Sequence, residues 1–386
     1  MSNKGKTILI LGNGFDLAHD LPTKYSHFLK FCKEIDKTLR SYNNKTITIT
    51  SNSGKTHEIS ANNKELLELS NLLKNNFWYQ YFIELYTNNL IKGENWIDFE
   101  SEIRFIIKAV DENSVSLTMP WREVINKANR NYRNDSRLIT FSRKFNSEGT
   151  QKNNGSMFSQ ITIKDFRENA FENLENLIRA LELYLSFVEE IPITDKLPEL
   201  SNLTPDYVIN FNYTNTYERI YKKEDVYHIH GKANVKHSIA ENNMVLGIDE
   251  YWNENERNER TNFTIFKKFS QRIQKDTGND SYKYLIEIRR IFESKRESLL
   301  PNNVDISLVH PDEVSNVYVF GHSLDITDKD ILSNFIGDDS TSVTVFCKDK
   351  KTEGELIANT IKLITEKRLL EKSNHVPVKL KFKVLK

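Results

Sequence analysis

The stretch TILILGNGFDLAHDLP, residues 7–22, decides how the rest of the chain is interpreted. Residues 8–11 form an apolar run that is typical of a strand buried on both faces of a sheet. Gly12-Asn13-Gly14 follows at once, and such a turn lets backbone N–H groups approach a phosphate without a Cβ in the way. A short helix over residues 15–19 would aim its positive end at the same place. It would also put Asp16 within reach of a ribose hydroxyl.

The G-x-G pattern lacks a third glycine, so it is equally compatible with a tight turn between a strand and a helix. If the turn binds a nucleotide, the space above Gly14 must stay open for a phosphate. Gly14→Val is therefore predicted to abolish nucleotide binding while leaving the fold largely intact.

The composition describes a neutral protein, because 386 residues include 54 basic and 54 acidic side chains. A neutral chain gives no electrostatic reason to expect nucleic acid as a partner. No apolar run approaches the roughly 20 residues of a membrane span, and no signal peptide pattern precedes the first strand. Cys32 and Cys347 are the only cysteines, too few for a four-cysteine zinc site or a disulfide framework. The sequence thus predicts a cytoplasmic protein without a metal site.

Apart from an exposed hairpin predicted at 46–59, segments typical of strands return only near residue 207, after a long helical interval. Within this interval, residues 165–190 place apolar side chains on one helical stripe, as in a helix that packs on a core. Later strands are predicted at 207–211, 226–230, 244–248, 317–320, 342–347 and 376–384. Buried strands that alternate with helices predict an α/β fold with a doubly wound parallel sheet. The core is assigned to residues 1–22 and 200–386, with a mainly helical insertion at 23–199 and a second one at about 250–310.

Glycines or polar residues follow four of the predicted strands, in segments 12–16, 210–214, 228–231 and 321–325. In a parallel doubly wound sheet the carboxyl ends of the strands lie at one edge, where ligands bind. We therefore expect these four segments to form one site. Histidine titrates near neutral pH, which makes His230 a candidate for proton transfer.

Each side chain in these segments also has a structural explanation. Asn212 is equally suited to a turn in which it bonds its own backbone, and His230 to a hydrogen bond with a loop carbonyl. His228 lies two residues earlier on the same face of a regular strand. The two histidines can therefore differ in role only by depth, or if the strand ends or bulges between them. Asp325 and Asp328 suit the N-cap and the first turn of a following helix.

Residues 12–22, 212–214, 230–231 and 321–328, in this order, resemble the signature blocks of the bacteriophage abortive infection AbiH family. Residues 96–100, WIDFE, resemble a further block of that family. The same blocks are more remotely similar to the sirtuin-like NAD-binding fold of other phage-defence proteins. The resemblance implies a Rossmann-like (sirtuin-like) parallel sheet with a large, mostly helical insertion. It also implies an antiphage effector that binds NAD or a related nucleotide and hydrolyses it at the nicotinamide glycosidic bond.

The resemblance further implies roles for individual residues. Asn212 corresponds to the asparagine that holds the nicotinamide ribose, and His230 to the histidine that serves as the catalytic base. The cofactor-binding residues implied in this way are Gly12, Asn13, Gly14, Phe15, Asp16, Tyr213, Thr214, Gly321, His322, Ser323 and Asp325. Thr214 stands where sirtuin-like proteins often have aspartate. The zinc cysteines of true sirtuins are absent, which argues against a deacylase.

As partners, the resemblance implies a nucleotide ligand, and it is compatible with a phage-derived trigger and a homo-oligomer. A nucleotide-sensing switch without turnover is an alternative, which Thr214 favours. A nucleic-acid binder or nuclease is another: basic residues alternate with aromatic ones at 121–144, and Glu293-Ser294-Lys295 has the E-x-K pattern of metal nucleases. Both patterns also arise in solvated helices. Asp98 and Glu100 of the WIDFE block either reach the site or cap their own helix.

Overall fold

The computed structural model describes residues 5–40, 46–60, 63–88, 98–149, 161–193, 195–278, 280–298 and 315–385. The chain divides into two units, each assembled from segments that are distant in sequence. The sheet unit comprises Met1–Asp20, Pro192–Lys232 and Asp276–Lys386, and the helical unit comprises Leu21–Ile191 and Ala233–Lys275. The chain thus leaves the sheet unit twice and returns to it twice.

The described residues form eight strands, which are β1 (Thr7–Leu11), β2 (Thr46–Thr50), β3 (Thr56–Ser60), β4 (Tyr207–Asn210), β5 (Val226–His228), β6 (Ser315–Phe320), β7 (Thr341–Cys347) and β8 (Leu380–Val384). The α-helices in the same part of the chain are α1 (Asn13–Ala18), α2 (Tyr25–Arg40), α3 (Lys64–Leu73), α4 (Phe77–Thr87), α5 (Phe99–Asn113), α6 (Trp121–Asn131), α7 (Ser136–Lys144), α8 (Ile163–Glu189), α9 (Pro198–Ser201), α10 (Thr216–Tyr221), α11 (Lys268–Gln274), α12 (Ser281–Ser298), α13 (Lys329–Ile336), α14 (Lys350–Ile364) and α15 (Glu366–Ser373).

The sheet unit contains one six-stranded sheet in the order β5-β4-β1-β6-β7-β8, with all strands parallel. β1 is central, because Leu9 pairs with Val208 of β4 on one side and with Tyr318 of β6 on the other. Numbered within this sheet alone, the order is 3-2-1-4-5-6, which is the order of dinucleotide-binding doubly wound folds. The order reverses between β1 and β6. The α/β fold with a parallel sheet that the sequence predicts is therefore confirmed.

Apolar side chains cover both faces of this sheet. Ile8 and Ile10 belong to a buried cluster with residues of α13 and α14 on one face. Leu9 and Leu11 belong to a second cluster, with Phe15 of α1, on the other face. A strand that is buried on both faces needs apolar residues at every position. This explains the unbroken apolar run in the sequence.

The helical unit is organised around α8, which has 27 residues. Its N-terminus carries a capping box, in which Thr162 Oγ1 accepts from Asp165 N–H and Asp165 Oδ2 accepts from Thr162 N–H. Aromatic rings fill the space between the helices, and Phe82 of α4 stacks on Phe99 of α5 with ring centroids 4.1 Å apart. β2 and β3 form an antiparallel hairpin. No helix in the described ranges has the length and apolarity that crossing a membrane requires.

The predicted strand at 244–248 is wrong. Met244 and Leu246 are fully buried, as the apolar pattern suggests, but only Ile248 makes a single bridge, to Lys267. The side-chain amide of Gln271 takes the place of a neighbouring strand. Its Oε1 accepts from Leu246 N–H at 3.1 Å, and its Nε2 donates to Leu246 O at 3.2 Å. The backbone N–H and C=O of Leu246 are thus hydrogen-bonded without a sheet.

The second insertion, expected at about 250–310, is divided between the two units. Residues 233–275 group with the helical unit, whereas α12 groups with the sheet unit. Leu285 and Ile288 explain the second assignment, because they belong to the same buried cluster as Ile8 and Ile10. Composition alone does not distinguish α12 from α11, since both are charged helices.

Candidate functional site

The segments that follow β1, β4, β5 and β6 lie side by side, because each of these strands is a direct neighbour of another in the sheet. Backbone hydrogen bonds join them: Gly12 N–H donates to Phe320 O at 3.0 Å, and Phe211 N–H donates to Leu11 O at 2.9 Å. The structure thus brings together the four segments that the sequence singles out. The carboxyl-edge site is defined as residues 12–16, 210–218, 228–232 and 321–328.

Three glycines of the site, Gly12, Gly14 and Gly321, let two loops touch through their backbones. Gly14 N–H donates to Gly321 O at 2.7 Å. A Cβ on Gly12 would lie 2.5 Å from His322 Cα, and one on Gly14 would lie 2.7 Å from Gly321 Cα, so neither position has room for a side chain. Gly321 has a φ of 71°, which L-residues rarely adopt. The glycines therefore serve the contact between the loops after β1 and β6, and phosphate binding at them stays a prediction.

Asn212 is fixed in one orientation. Its Nδ2 donates to Gly12 O at 3.1 Å, and because a carbonyl can only accept, the side-chain oxygen faces away from Gly12. Its backbone N–H donates to Asn210 Oδ1 at 3.0 Å, and its backbone carbonyl lies 2.9 Å from His228 Nδ1. Oδ1 accepts no hydrogen bond from the described residues. Asn212 therefore presents an oriented acceptor at the site.

His230 is buried, with 4% of its surface exposed, and is held by a carboxylate. Its Nε2 lies 2.9 Å from Asp328 Oδ1, at the start of α13. Phe211 packs edge-on against both His230 and His322, with ring centroids 5.4 and 4.4 Å apart. The Tyr213 ring lies 6.5 Å from that of His230. The predicted base thus stands in a cluster built from the ends of β4, β5 and β6.

His322 has a defined tautomer. Leu324 N–H donates to His322 Nδ1 at 2.9 Å, so Nδ1 is the unprotonated nitrogen and Nε2 carries the proton. Nε2 lies 3.5 Å from Asp328 Oδ2. The carboxylate of Asp328 therefore faces two imidazoles, one on each oxygen.

Asp16 is buried rather than open to a ligand, with 1% of its surface exposed. Thr214 Oγ1 donates to Asp16 Oδ2 at 2.6 Å, and Thr216 Oγ1 donates to Thr214 Oγ1 at 3.1 Å. Burial raises the pKa of Asp16 to about 6, although the hydrogen bonds from Thr214 and Thr216 oppose the rise. The hydrogen bond ties α1 to the turn after β4. Contact between Asp16 and a ribose hydroxyl stays a prediction.

His228 belongs to a different cluster from His230, because β5 ends at His228. Its Nδ1 faces the Asn212 carbonyl and its Nε2 lies 2.9 Å from Glu218 Oε1, so both ring nitrogens lie against hydrogen-bond acceptors. Lys232 Nζ donates to the same Glu218 oxygen at 2.8 Å. Burial would raise the pKa of Glu218, but the bonds from His228 and Lys232 outweigh it and lower the pKa. Because β5 ends at His228, the two histidines lie in different clusters. This is one of the two arrangements for which the sequence allows them different roles.

Some of the other predicted site residues lie at the carboxyl edge of the sheet, and others are buried in the hydrophobic core of the sheet unit. Phe15 is fully buried in the cluster beneath α1, and Asn13 is the first residue of that helix. Asp325 Oδ1 accepts from Thr327 N–H at 3.0 Å and so caps a 3₁₀ turn. Ser323 is exposed. Ligand binding by these residues stays a prediction.

Sequence reasoning misses two residues that the structure places at the centre of the site. Both residues lie in segments that the sequence singles out, but Asp328 receives only the role of a first-turn acid and Phe211 receives no role in the site. The available signal is that both lie inside or directly beside the blocks that contain Asn212, His230 and His322. The distances that join them depend on three separate loops, which spacing along the chain does not reveal.

Asp98 and Glu100 have structural roles within the helical unit. Asp98 Oδ1 accepts from Glu100 N–H at 3.0 Å and caps α5. Glu100 Oε2 pairs with Lys268 Nζ at 2.8 Å. Trp96 and Ile97 of the same block lie outside the described residues.

The basic segment at 121–144 forms α6 and α7. Trp121 and Phe141 are buried and present no face on which a base could stack, whereas Tyr132 is half-buried and donates its hydroxyl to Glu112 Oε2. Arg137 pairs with Asp135 at 2.9 Å. Glu293-Ser294-Lys295 lies within α12. In the described part of the chain, no group of three or more metal-ligating side chains is placed to hold an ion.

These features define a doubly wound α/β protein with a histidine–carboxylate cluster at the carboxyl edge of its sheet. The family model described as bacteriophage abortive infection AbiH matches residues 8–348, which include every segment of the carboxyl-edge site. The chain belongs to this family, which confirms the resemblance seen in the sequence and implies a role in phage abortive infection. No significant match is found among curated proteins or solved structures.

Proposed function

We propose that the chain is an abortive-infection effector that binds NAD or a related nucleotide at the carboxyl-edge site and hydrolyses its nicotinamide glycosidic bond. The observation that carries the proposal is the buried His230 imidazole, held 2.9 Å from Asp328 at the carboxyl edge of a sheet with dinucleotide-binding strand order. Ligands of such folds bind where the strand order reverses. In this chain the reversal lies between β1 and β6.

Asn212 supports the ribose half of the proposal. Ribose hydroxyls are hydrogen-bond donors, and the side-chain oxygen of Asn212 is an acceptor whose direction is fixed by the bond from Nδ2 to Gly12 O. The glycines do not carry the proposal, because the loop after β6 contacts the Gly14 amide and the space beside Gly12. The proposal therefore rests on the asparagine and the histidine.

The chemistry expected of these two residues is limited. Bound NAD supplies a cationic nicotinamide leaving group, and its departure places oxocarbenium-like charge on the ribose, as in other glycosidic cleavages. Asn212 orients the ribose through a hydroxyl. His230 accepts a proton from the water that attacks the ribose carbon, and Asp328 stabilises the imidazolium that results.

The experiment incubates the purified full chain with NAD and follows the release of nicotinamide. His230→Ala is expected to reduce the rate by about 10²- to 10⁴-fold, which is typical for loss of a general base, and to leave NAD affinity in place. His57→Ala is the matched control, because His57 is a partly exposed histidine on β3 of the helical unit. A wild-type chain without activity is retested with extract from phage-infected cells, to supply a trigger.

Three outcomes are distinguishable. Equal rates for wild type and His230→Ala would remove the catalytic assignment. NAD binding without nicotinamide release, in both buffer and infected-cell extract, would replace the enzyme with a nucleotide-sensing switch. Absence of NAD binding to the folded wild type would overturn the proposal as a whole.

A further inference from the structure

The carboxylate of Asp328 is shared by two imidazoles that come from different loops. Oδ1 lies 2.9 Å from Nε2 of His230, after β5, and Oδ2 lies 3.5 Å from Nε2 of His322, after β6. All three side chains are buried. A buried acid between two histidines needs an explanation, because burying a charge is unfavourable unless it has partners.

Helix stabilisation does not supply that explanation. Asp328 occupies the N-cap position of α13, where an aspartate normally accepts from a backbone N–H, yet its side chain makes no capping hydrogen bond. The neighbouring Asp325 does cap the preceding 3₁₀ turn. The carboxylate of Asp328 therefore contacts the two histidines and does not cap α13.

The hydrogen bonds decide where the protons lie. An ionised carboxylate only accepts, so the 2.9 Å contact requires His230 Nε2 to donate, and in the neutral ring Nδ1 is then the basic nitrogen. His322 Nδ1 accepts from Leu324 N–H, so its Nε2 carries the proton that faces Asp328. Both rings thus present the same nitrogen to the carboxylate.

We propose that Asp328 is a positioning residue that fixes the tautomer and basicity of His230, and that His322 positions Asp328 rather than binding a ligand. This inference rests on the proposed function for its catalytic meaning. The proton of the attacking water passes to His230 Nδ1, and the imidazolium donates from Nε2 to Asp328, which stays ionised. Among the described residues, the titratable groups that face this pair include His322 from the loop after β6 and Tyr213 from the turn after β4.

The test measures the pKa of His230 by NMR in histidine-labelled protein without nucleotide. Asp328→Asn keeps the shape of the side chain and removes its charge, so the pKa of His230 is expected to fall by at least about one unit, since a nearby negative charge favours the imidazolium. Asp330→Asn is the matched control, because it removes the same charge from an exposed acid two residues later. Its His230 pKa is expected to equal that of wild type.

A second measurement uses the wild-type protein, so it can be made even if Asp328→Asn does not fold. Nitrogen chemical shifts of the wild-type rings at high pH report which nitrogen is protonated. We expect Nε2–H in both His230 and His322. A His230 ring with its proton on Nδ1, or an unchanged His230 pKa in folded Asp328→Asn, would overturn the inference.

Kinetics separate this inference from the proposed function. If the chain releases nicotinamide, the acidic limb of the pH–rate profile in Asp328→Asn should move to lower pH by the same amount as the NMR pKa, with KM unchanged. If it releases none but the tautomers and the pKa shift are observed, only the proposed function fails. If His230 proves essential but Asp328→Asn keeps the wild-type pH profile, only the positioning role fails.

Discussion

Asp16 is a buried acid whose charge destabilises the fold. Burial raises its pKa from 3.8 to about 6, and the hydrogen bonds from Thr214 and Thr216 offset only part of that rise. Because the folded-state pKa lies above the unfolded value, the folded protein binds more protons between these two values, and stability falls as pH rises from about 4 to about 6. A difference of about two pKa units corresponds to about 3 kcal/mol.

Asp16→Asn is expected to remove this pH dependence, since an amide is neutral in both states and can still accept the hydroxyl of Thr214. Relative to wild type, the free energy of unfolding of the variant should rise by up to about 3 kcal/mol between pH 4 and pH 7. Urea denaturation at a series of pH values measures the difference. Asp330→Asn, at an exposed acid, should follow the wild-type curve. Parallel curves for Asp16→Asn and wild type would contradict the assignment.

At Gly14, the sequence alone does not reveal the close contact with the backbone of Gly321. The sequence predicts that Gly14→Val spares the fold, whereas the structure places a Cβ at this position 2.7 Å from Gly321 Cα, a backbone atom that cannot move aside. We now expect Gly14→Val to destabilise the sheet unit by about 1–3 kcal/mol or more, as overpacking does. Thermal denaturation measures the effect.

Gly354→Ala provides the matched control for Gly14. Nothing lies within 4 Å of the added Cβ, and Gly354 is inside α14. Alanine is therefore expected to stabilise the protein there by about 0.5–1 kcal/mol. A Gly14 variant as stable as wild type would show that the two loops can separate, and would reopen the turn as a phosphate site.

The sequence predicts those strands whose apolar side chains are buried on both faces of the sheet. It does not predict which backbone groups find hydrogen-bond partners in distant side chains. The strand at 8–11 is predictable because burial on both faces leaves an unbroken apolar run. The same kind of run at 244–248 forms no strand, because the Gln271 side chain bonds both backbone groups of Leu246. No local sequence pattern predicts that a side chain takes the place of a neighbouring strand, because the glutamine lies more than twenty residues later in the chain.

Gln271→Leu is expected to destabilise the helical unit. The substitution replaces the amide by an apolar side chain of similar size and leaves the buried N–H and C=O of Leu246 without their partner, at a cost of about 1–3 kcal/mol for each group. Urea denaturation measures the loss. Gln274→Leu, at an exposed position of the same helix, should change stability by less than about 0.5 kcal/mol. Equal effects in the two variants would mean that the amide does not replace a strand.

For the whole molecule, the order of blocks along the chain predicts the family and the edge of the sheet where the site forms. The sequence places polar residues after four strands, and the parallel order β5-β4-β1-β6 makes those four ends adjacent. It does not predict that the glycines after β1 contact the loop after β6, or that Asp328 faces two histidines. Both depend on segments that are far apart in sequence and meet in the folded protein: about 300 residues separate Gly14 from Gly321, and 98 separate His230 from Asp328.

The central position of β1 has a consequence for synthesis on the ribosome. Its two neighbours in the sheet, β4 and β6, begin at Tyr207 and Ser315. At about 5–20 residues per second, the roughly 300 residues between β1 and β6 take about 15–60 s to translate. Throughout that interval at least one edge of the most apolar strand has no native partner. The nascent chain therefore has to shield this segment by other means, such as a chaperone, until the fourth strand of the sheet has emerged.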